Sequence, residues 1–236
     1  VTGAARRALA EAVGTAFLVA AVIGSGIAAQ RLSPNDAGLQ LLENSLITGA
    51  ALIALILALQ PVSAAFNPAV TLVELGLRGL SARIAALLIA AQLAGGLAGA
   101  VIANLMFDRA AISIATRHRD GGGLWLGELV ATVGLLLVIF GAARSGRHDR
   151  IGYAVGGYIT AAYWFTSSTS FANPAVTVAR MFSNSFAGIA PASVPMFVLM
   201  QLAGAAVGGL LIRALFPTAP ALPASEVAVG VTEVER

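Results

Sequence analysis

Two identical five-residue strings stand far apart in the chain: Asn67-Pro68-Ala69-Val70-Thr71 and Asn173-Pro174-Ala175-Val176-Thr177. An asparagine followed by proline is a helix-start signal, because the amide oxygen can accept from the first free backbone N–H groups and proline lacks one of its own. Each box predicts a short helix, over 65–77 and 172–182, apolar enough to enter a membrane and too short to cross it. A helix N-terminus carries about half a positive charge. Two of them brought together would oppose cations, protons included. Asn67 and Asn173 could then donate amide hydrogens to a passing solute. The plainer alternative is that each asparagine only caps its helix.

Other residues recur with the boxes. Ala10-Glu11-(x)3-Thr15 matches Gly127-Glu128-(x)3-Thr132, and Gln92-Leu93-Ala94-Gly95 matches Gln201-Leu202-Ala203-Gly204, with Gly99 and Gly208 following. Glutamates inside apolar runs are functional by default in a membrane. Glu11 and Glu128 could relay protons. The reading favoured here is that each accepts hydrogen bonds from the backbone of one re-entrant loop, with Gln92 and Gln201 bracing the same loops. The loops 60–66 and 167–172 would then offer carbonyls to a dehydrating solute, which membrane depth tolerates only where backbone lines a cavity.

The elements that must hold these groups are long apolar runs. Of 236 residues, 58% are hydrophobic and 11% charged, against about 25% charged in soluble domains. That leaves too little charge to cover a soluble surface. Runs at 8–29, 37–59, 84–107, 124–143, 151–169 and 191–216 each approach the roughly 20 residues a spanning helix needs. The fold class predicted is all-α membrane protein: six transmembrane helices plus two re-entrant half-helices in an inverted repeat. The first repeat covers about 8–107 and the second about 124–216, with 217–236 a flexible cytoplasmic tail. Three spans per half is an odd number, so the second copy enters from the opposite side, as in transport proteins built on inverted repeats.

All 14 basic residues are arginines in or near the gaps between apolar runs. That argues for loops flanking a lipid bilayer and against nucleic acid. With the N-terminus inside, inner loops hold eight arginines and outer loops four, which predicts a multi-pass protein of the cell membrane with both termini cytoplasmic. Cysteine is absent and there are two histidines. No metal site, cofactor or nucleophile–base–acid set is expected, and hence no enzyme.

The two Asn-Pro-Ala boxes, Glu11 and Glu128, Gln92 and Gln201 and the glycines after them resemble the aquaporin or major intrinsic protein family over about residues 8–216. The resemblance implies half-helices meeting end to end at the bilayer centre, and a homotetramer with one pore per protomer. It also implies a selectivity filter. By spacing from the boxes, its positions fall at Ile47 or Thr48, at Ala161, at Ser170 and at Val176. Most aquaporins carry arginine where Val176 stands, and place an aromatic and a histidine nearby. Arg180, one turn on, could face the outer vestibule or turn into the loops; Glu74 holds the matching place in the first half-helix.

Small Ala161, Ser170 and Val176 predict a wider, more apolar constriction, unless Tyr163, Trp164 or Phe171 plugs it. The missing arginine resembles a bacterial branch associated with arsenic resistance. The function expected is a passive channel for water and small neutral solutes: glycerol-like polyols, urea, arsenous acid or methylated arsenicals. The alternatives are a strictly water-selective pore, a glycerol facilitator and, from another class, a coupled secondary transporter.

Overall fold

The computed structural model describes residues 3–217, and every regular element among them is helical. The expected tail lies, apart from Pro217, outside the described residues. The helices are α1 Gly3–Leu32, α2 Ala37–Leu59, α3 Pro68–Gly76, α4 Ala82–Met106, α5 Gly122–Arg144, α6 Ile151–Phe165, α7 Pro174–Arg180 and α8 Val194–Leu215. Short 3₁₀ turns, His148–Arg150 and Pro191–Ser193, precede α6 and α8.

Among the described residues five helices are long and apolar enough to cross a membrane: α1, α2, α4, α5 and the stretch Pro191–Leu215. The run expected at 151–169 yields a helix of 15 residues. It ends where Thr166 turns to extended backbone, at φ −103° and ψ 137°, its N–H and Oγ1 still bonding the Ala162 carbonyl. The chain then turns inward towards the second box. Both α3 and α7 are short, at 9 and 7 residues.

The packing repeats in the two halves. α1 lies against α4, and α5 against α8, while α1–α2 and α2–α6 contacts join the rest. Close approach is possible because small residues line the seams, the usual solution where lipid gives helices no hydrophobic reason to associate. A Cβ on Gly95 would stand 2.1 Å from the Ala12 carbonyl oxygen, and one on Gly99 2.2 Å from that of Ala16. In the second half, a Cβ on Gly204 would stand 2.9 Å from the Leu129 carbonyl oxygen. Many large apolar side chains remain exposed, Phe17, Leu46, Ile102 and Leu210 among them. An aqueous surface would not tolerate such a band; lipid requires it.

Candidate pore

Asn67 and Asn173 cap α3 and α7 from extended backbone, at φ −154° and −157°. Asn67 Oδ1 accepts from Ala69 N at 2.9 Å, and Asn173 Oδ1 from Ala175 N at 3.0 Å and Val176 N at 3.2 Å. The two amide groups then cross over. Asn67 Nδ2 donates to the Ala172 carbonyl at 2.8 Å, and Asn173 Nδ2 to the Phe66 carbonyl at 2.7 Å. Each box thus grips the residue before the other, which brings the two helix N-termini together. An amide NH2 has two hydrogens, so each asparagine keeps one beyond this crossed bond. Both asparagines line the same cavity, which makes capping and donation compatible roles of one side chain.

The loops before the boxes are bent. Phe66 and Ala172 both have φ of 47°, and Thr169 and Ser170 share the left-handed region. For residues with a Cβ that conformation costs about 1–2 kcal/mol each. It turns the loop N–H groups towards a buried carboxylate, which offsets the cost. Glu11 Oε1 accepts from Ser63 Oγ at 2.5 Å and Ala65 N at 2.9 Å; Oε2 accepts from Phe66 N at 2.7 Å and Gln92 Nε2 at 2.8 Å. Glu128 accepts from Phe171 N and Ala172 N, both at 2.9 Å, and from Gln201 Nε2 at 2.5 Å. The glutamines continue the network, Gln92 to Thr71 Oγ1 at 2.9 Å and Gln201 to Thr177 Oγ1 at 2.8 Å. All four Glu and Gln side chains are fully buried.

One elongated cavity runs past these groups, with about 1020 Å³ of empty space including its open part. It is lined along α2 from Thr48 to Gln60 and along α6 from Ile151 to Tyr163. Twelve residues of helix rise about 18 Å, so it extends through much of a bilayer's hydrocarbon core. Leu18, Val22, Leu52, Ile56, Leu135 and Ile139 supply apolar wall, and Ser63 to Asn67 with Ser170, Phe171 and Asn173 supply loop backbone and polar groups. Along each half-helix the cavity meets the box asparagine and the residues three and seven further on: Asn67, Val70, Glu74, and Asn173, Val176, Arg180. At 100° per residue those three share one helix face.

The expected filter positions divide. Thr48, Ser170 and Val176 line the cavity. Ile47 does not: it is 49% exposed on the outside of α2, one residue and about 100° away from Thr48. Ala161 is also exposed and off the cavity, a correction to the reading by spacing. Tyr163 occupies that wall instead, 3% exposed, its hydroxyl 3.1 Å from Thr48 Oγ1. The cavity-facing residues of α6 are Ile151, Val155, Ile159 and Tyr163, a spacing of four that was open to view in the sequence. Trp164 points outward and bonds Ser45 Oγ at 3.2 Å.

This end is more polar and more aromatic than small residues alone would make it. Arg180 combines the two orientations left open for it. It is 2% exposed and lines the cavity, yet Nε donates to the Ala187 carbonyl and the guanidinium lies over the Phe171 ring, 3.4 Å from its centroid. Arg119, from the loop between α4 and α5, covers the same ring at 4.9 Å and donates to the Gly188 carbonyl at 3.0 Å. Burial first, then the neighbouring Arg180, holds the Arg119 guanidinium well below the ordinary arginine range. Among the described residues no group of three or more potential metal ligands occurs.

Residues 2–167 match the family model described as Major intrinsic protein. The chain is 48% identical over 215 residues to Aquaglyceroporin AqpS of Rhizobium meliloti (strain 1021), covering 91% of each protein. Its fold matches the X-ray structure of the aquaglyceroporin from Plasmodium falciparum with a TM-score of 0.68, over 91% of this chain and 96% of that one. At 18% identity that likeness shows the fold alone. The chain belongs to the major intrinsic protein family. It is a multi-pass membrane channel for small solutes, not an enzyme.

Proposed function

We propose that the chain is a passive channel for water and small neutral solutes of the glycerol type, with urea, arsenous acid and methylated arsenicals in its range. The observation that carries this reading is the mixed polar and apolar lining of the cavity along α2 and α6. A hydroxyl that leaves water must find a replacement hydrogen bond or cost several kcal/mol. The loop carbonyls and the spare amide hydrogens of Asn67 and Asn173 offer replacements, while a polyol's C–H edge rests on leucine and isoleucine. Val176 adds no charge where the family usually has one. Arg180 Nε donates to the Ala187 carbonyl and the Tyr163 hydroxyl pairs with Thr48, which holds both side chains to the wall. The relative named an aquaglyceroporin supports the same solute class.

Ion and proton exclusion follows from the paired N-termini of α3 and α7, whose summed field is positive where the asparagines meet. A coupled transporter needs an ionisable group free to change partners. Glu11 and Glu128 are instead committed to the loops at every oxygen. Assembly as a homotetramer in the cell membrane, both termini cytoplasmic, completes the reading.

The test is stopped-flow volume change of proteoliposomes, wild type beside Val176→Arg, challenged with water, glycerol and arsenous acid. Wild type passes all three, and Val176→Arg loses the two larger solutes while keeping water. A wild type that passes water alone overturns the broad-solute reading. Solute accumulation driven by a pH gradient overturns the channel reading.

A further inference from the structure

Arg180 and Glu74 occupy matching places, each seven residues beyond its box asparagine, and both are buried against the one cavity. Their surroundings differ. Arg180 donates Nε to a carbonyl and lies over an aromatic face, and as a cation it suits the C-terminal end of α7. Glu74 has none of this. It is 7% exposed, and its Oε1 is buried without a hydrogen-bond donor among the described residues. The ion pairs among those residues are His118–Asp120 and Arg150–Asp149, so Glu74 belongs to neither. It also sits two residues from the end of α3, where the helix dipole disfavours an anion. A carboxylate that is buried, unpaired and at the wrong helix end does not stabilise the fold.

The positive group whose charge acts on Glu74 is Arg7, on the first turns of α1. It lines the same cavity, and its Nε is likewise buried and unpartnered. Both lie towards the end marked by Gln60 and Ile151, remote from Tyr163 and Arg180. The other acid felt there, Glu11, is consumed by its loop. One mouth of the pore therefore presents a bare acceptor and a bare donor together.

We infer that Glu74 and Arg7 form a second solute-selecting station at this mouth, and that it takes urea-type amides. A urea molecule carries N–H donors on one edge for the carboxylate and a carbonyl oxygen on the other for the guanidinium. A polyol hydroxyl meets the same groups singly. The station gives the pore two unlike ends: a wall-bound arginine at one, and an unpaired carboxyl and guanidinium at the other. The inference rests on the small-solute channel reading above.

Urea, glycerol and water permeabilities of proteoliposomes test it, for wild type, Glu74→Gln, Glu74→Leu and Arg7→Gln, with urea flux measured against urea concentration. Losing one charge-assisted hydrogen bond lowers urea permeability about tenfold. Glycerol falls less, water stays within about twofold, and the saturation of urea flux seen in wild type disappears. Melting temperatures of the Glu74 variants stay level or rise. A urea-to-water ratio unchanged in both Glu74 variants overturns the station and leaves the channel reading standing. A fall of the Glu74→Gln melting temperature by several degrees also overturns it, because the carboxylate is then structural. A wild type that passes water alone overturns the broad-solute reading, and the station falls with it.

Discussion

Replacing Glu128 by glutamine changes one oxygen to an NH2 group and leaves the shape intact. The site has nothing but donors to offer: Phe171 N, Ala172 N and Gln201 Nε2, all within 2.9 Å of the carboxylate. Whichever way the new amide turns, at least one donor faces another donor. That contact leaves a buried N–H unsatisfied at about 1–3 kcal/mol, and the surviving bonds fall from charge-assisted to neutral strength. The loop they hold includes Thr169, Ser170 and Ala172 in left-handed backbone, which relaxes when the bonds are lost. The loss comes to about 3 kcal/mol. For a domain of this length each kcal/mol lowers the melting temperature by about 2–4 °C, so Glu128→Gln should melt roughly 6–12 °C below wild type. Thermal unfolding of the detergent-purified protein reads the shift, and stopped-flow water permeability should fall with it as the second loop loses its shape. A Glu128→Gln protein that melts within about 1 °C of wild type and conducts water normally would falsify the bracing role. If such a protein lost only pH-driven flux, Glu128 would be a proton carrier.

Two further outcomes follow from the packing. Gly99→Val places a side chain about 2 Å from the Ala16 backbone oxygen, which cannot move aside cheaply; size-exclusion chromatography should show loss of the monodisperse peak. Gly157→Ala, with nothing within 4 Å of the new methyl, should elute and melt like wild type. Arg180→Leu removes the Ala187 bond and the stacking on Phe171, worth together about 2–4 kcal/mol. It should lower the melting temperature and raise glycerol permeability relative to water, and an unchanged ratio in proteoliposomes would show that Arg180 lies off the solute path.

The amino-acid sequence by itself determined a large part of this protein. Apolar runs of about 20 residues with sparse arginines between them leave little choice but membrane helices. The repeated Asn-Pro-Ala strings specify two helix starts through capping chemistry that acts over three residues. The one-to-one count of glutamates and loops pointed at the partners that Glu11 and Glu128 have. Even Tyr163 was legible in principle, as the last of four cavity-facing residues spaced by four along α6.

What the tertiary structure decided were matters of direction. Counting back from a box cannot say which face of α2 or α6 meets the pore, since one residue rotates a side chain by about 100°. Thr48 and Tyr163 therefore line the cavity while Ile47 and Ala161 do not. The crossed bonds from Asn67 to Ala172 and from Asn173 to Phe66 join residues over a hundred positions apart, a distance no local rule spans. Arg180 and Glu74 hold equivalent places in sequence and have different surroundings: one meets a carbonyl and a ring, the other shares its cavity wall with Arg7. Whether a buried charge is spent or available depends on its neighbours in space, and those neighbours exist only once the two halves have packed together.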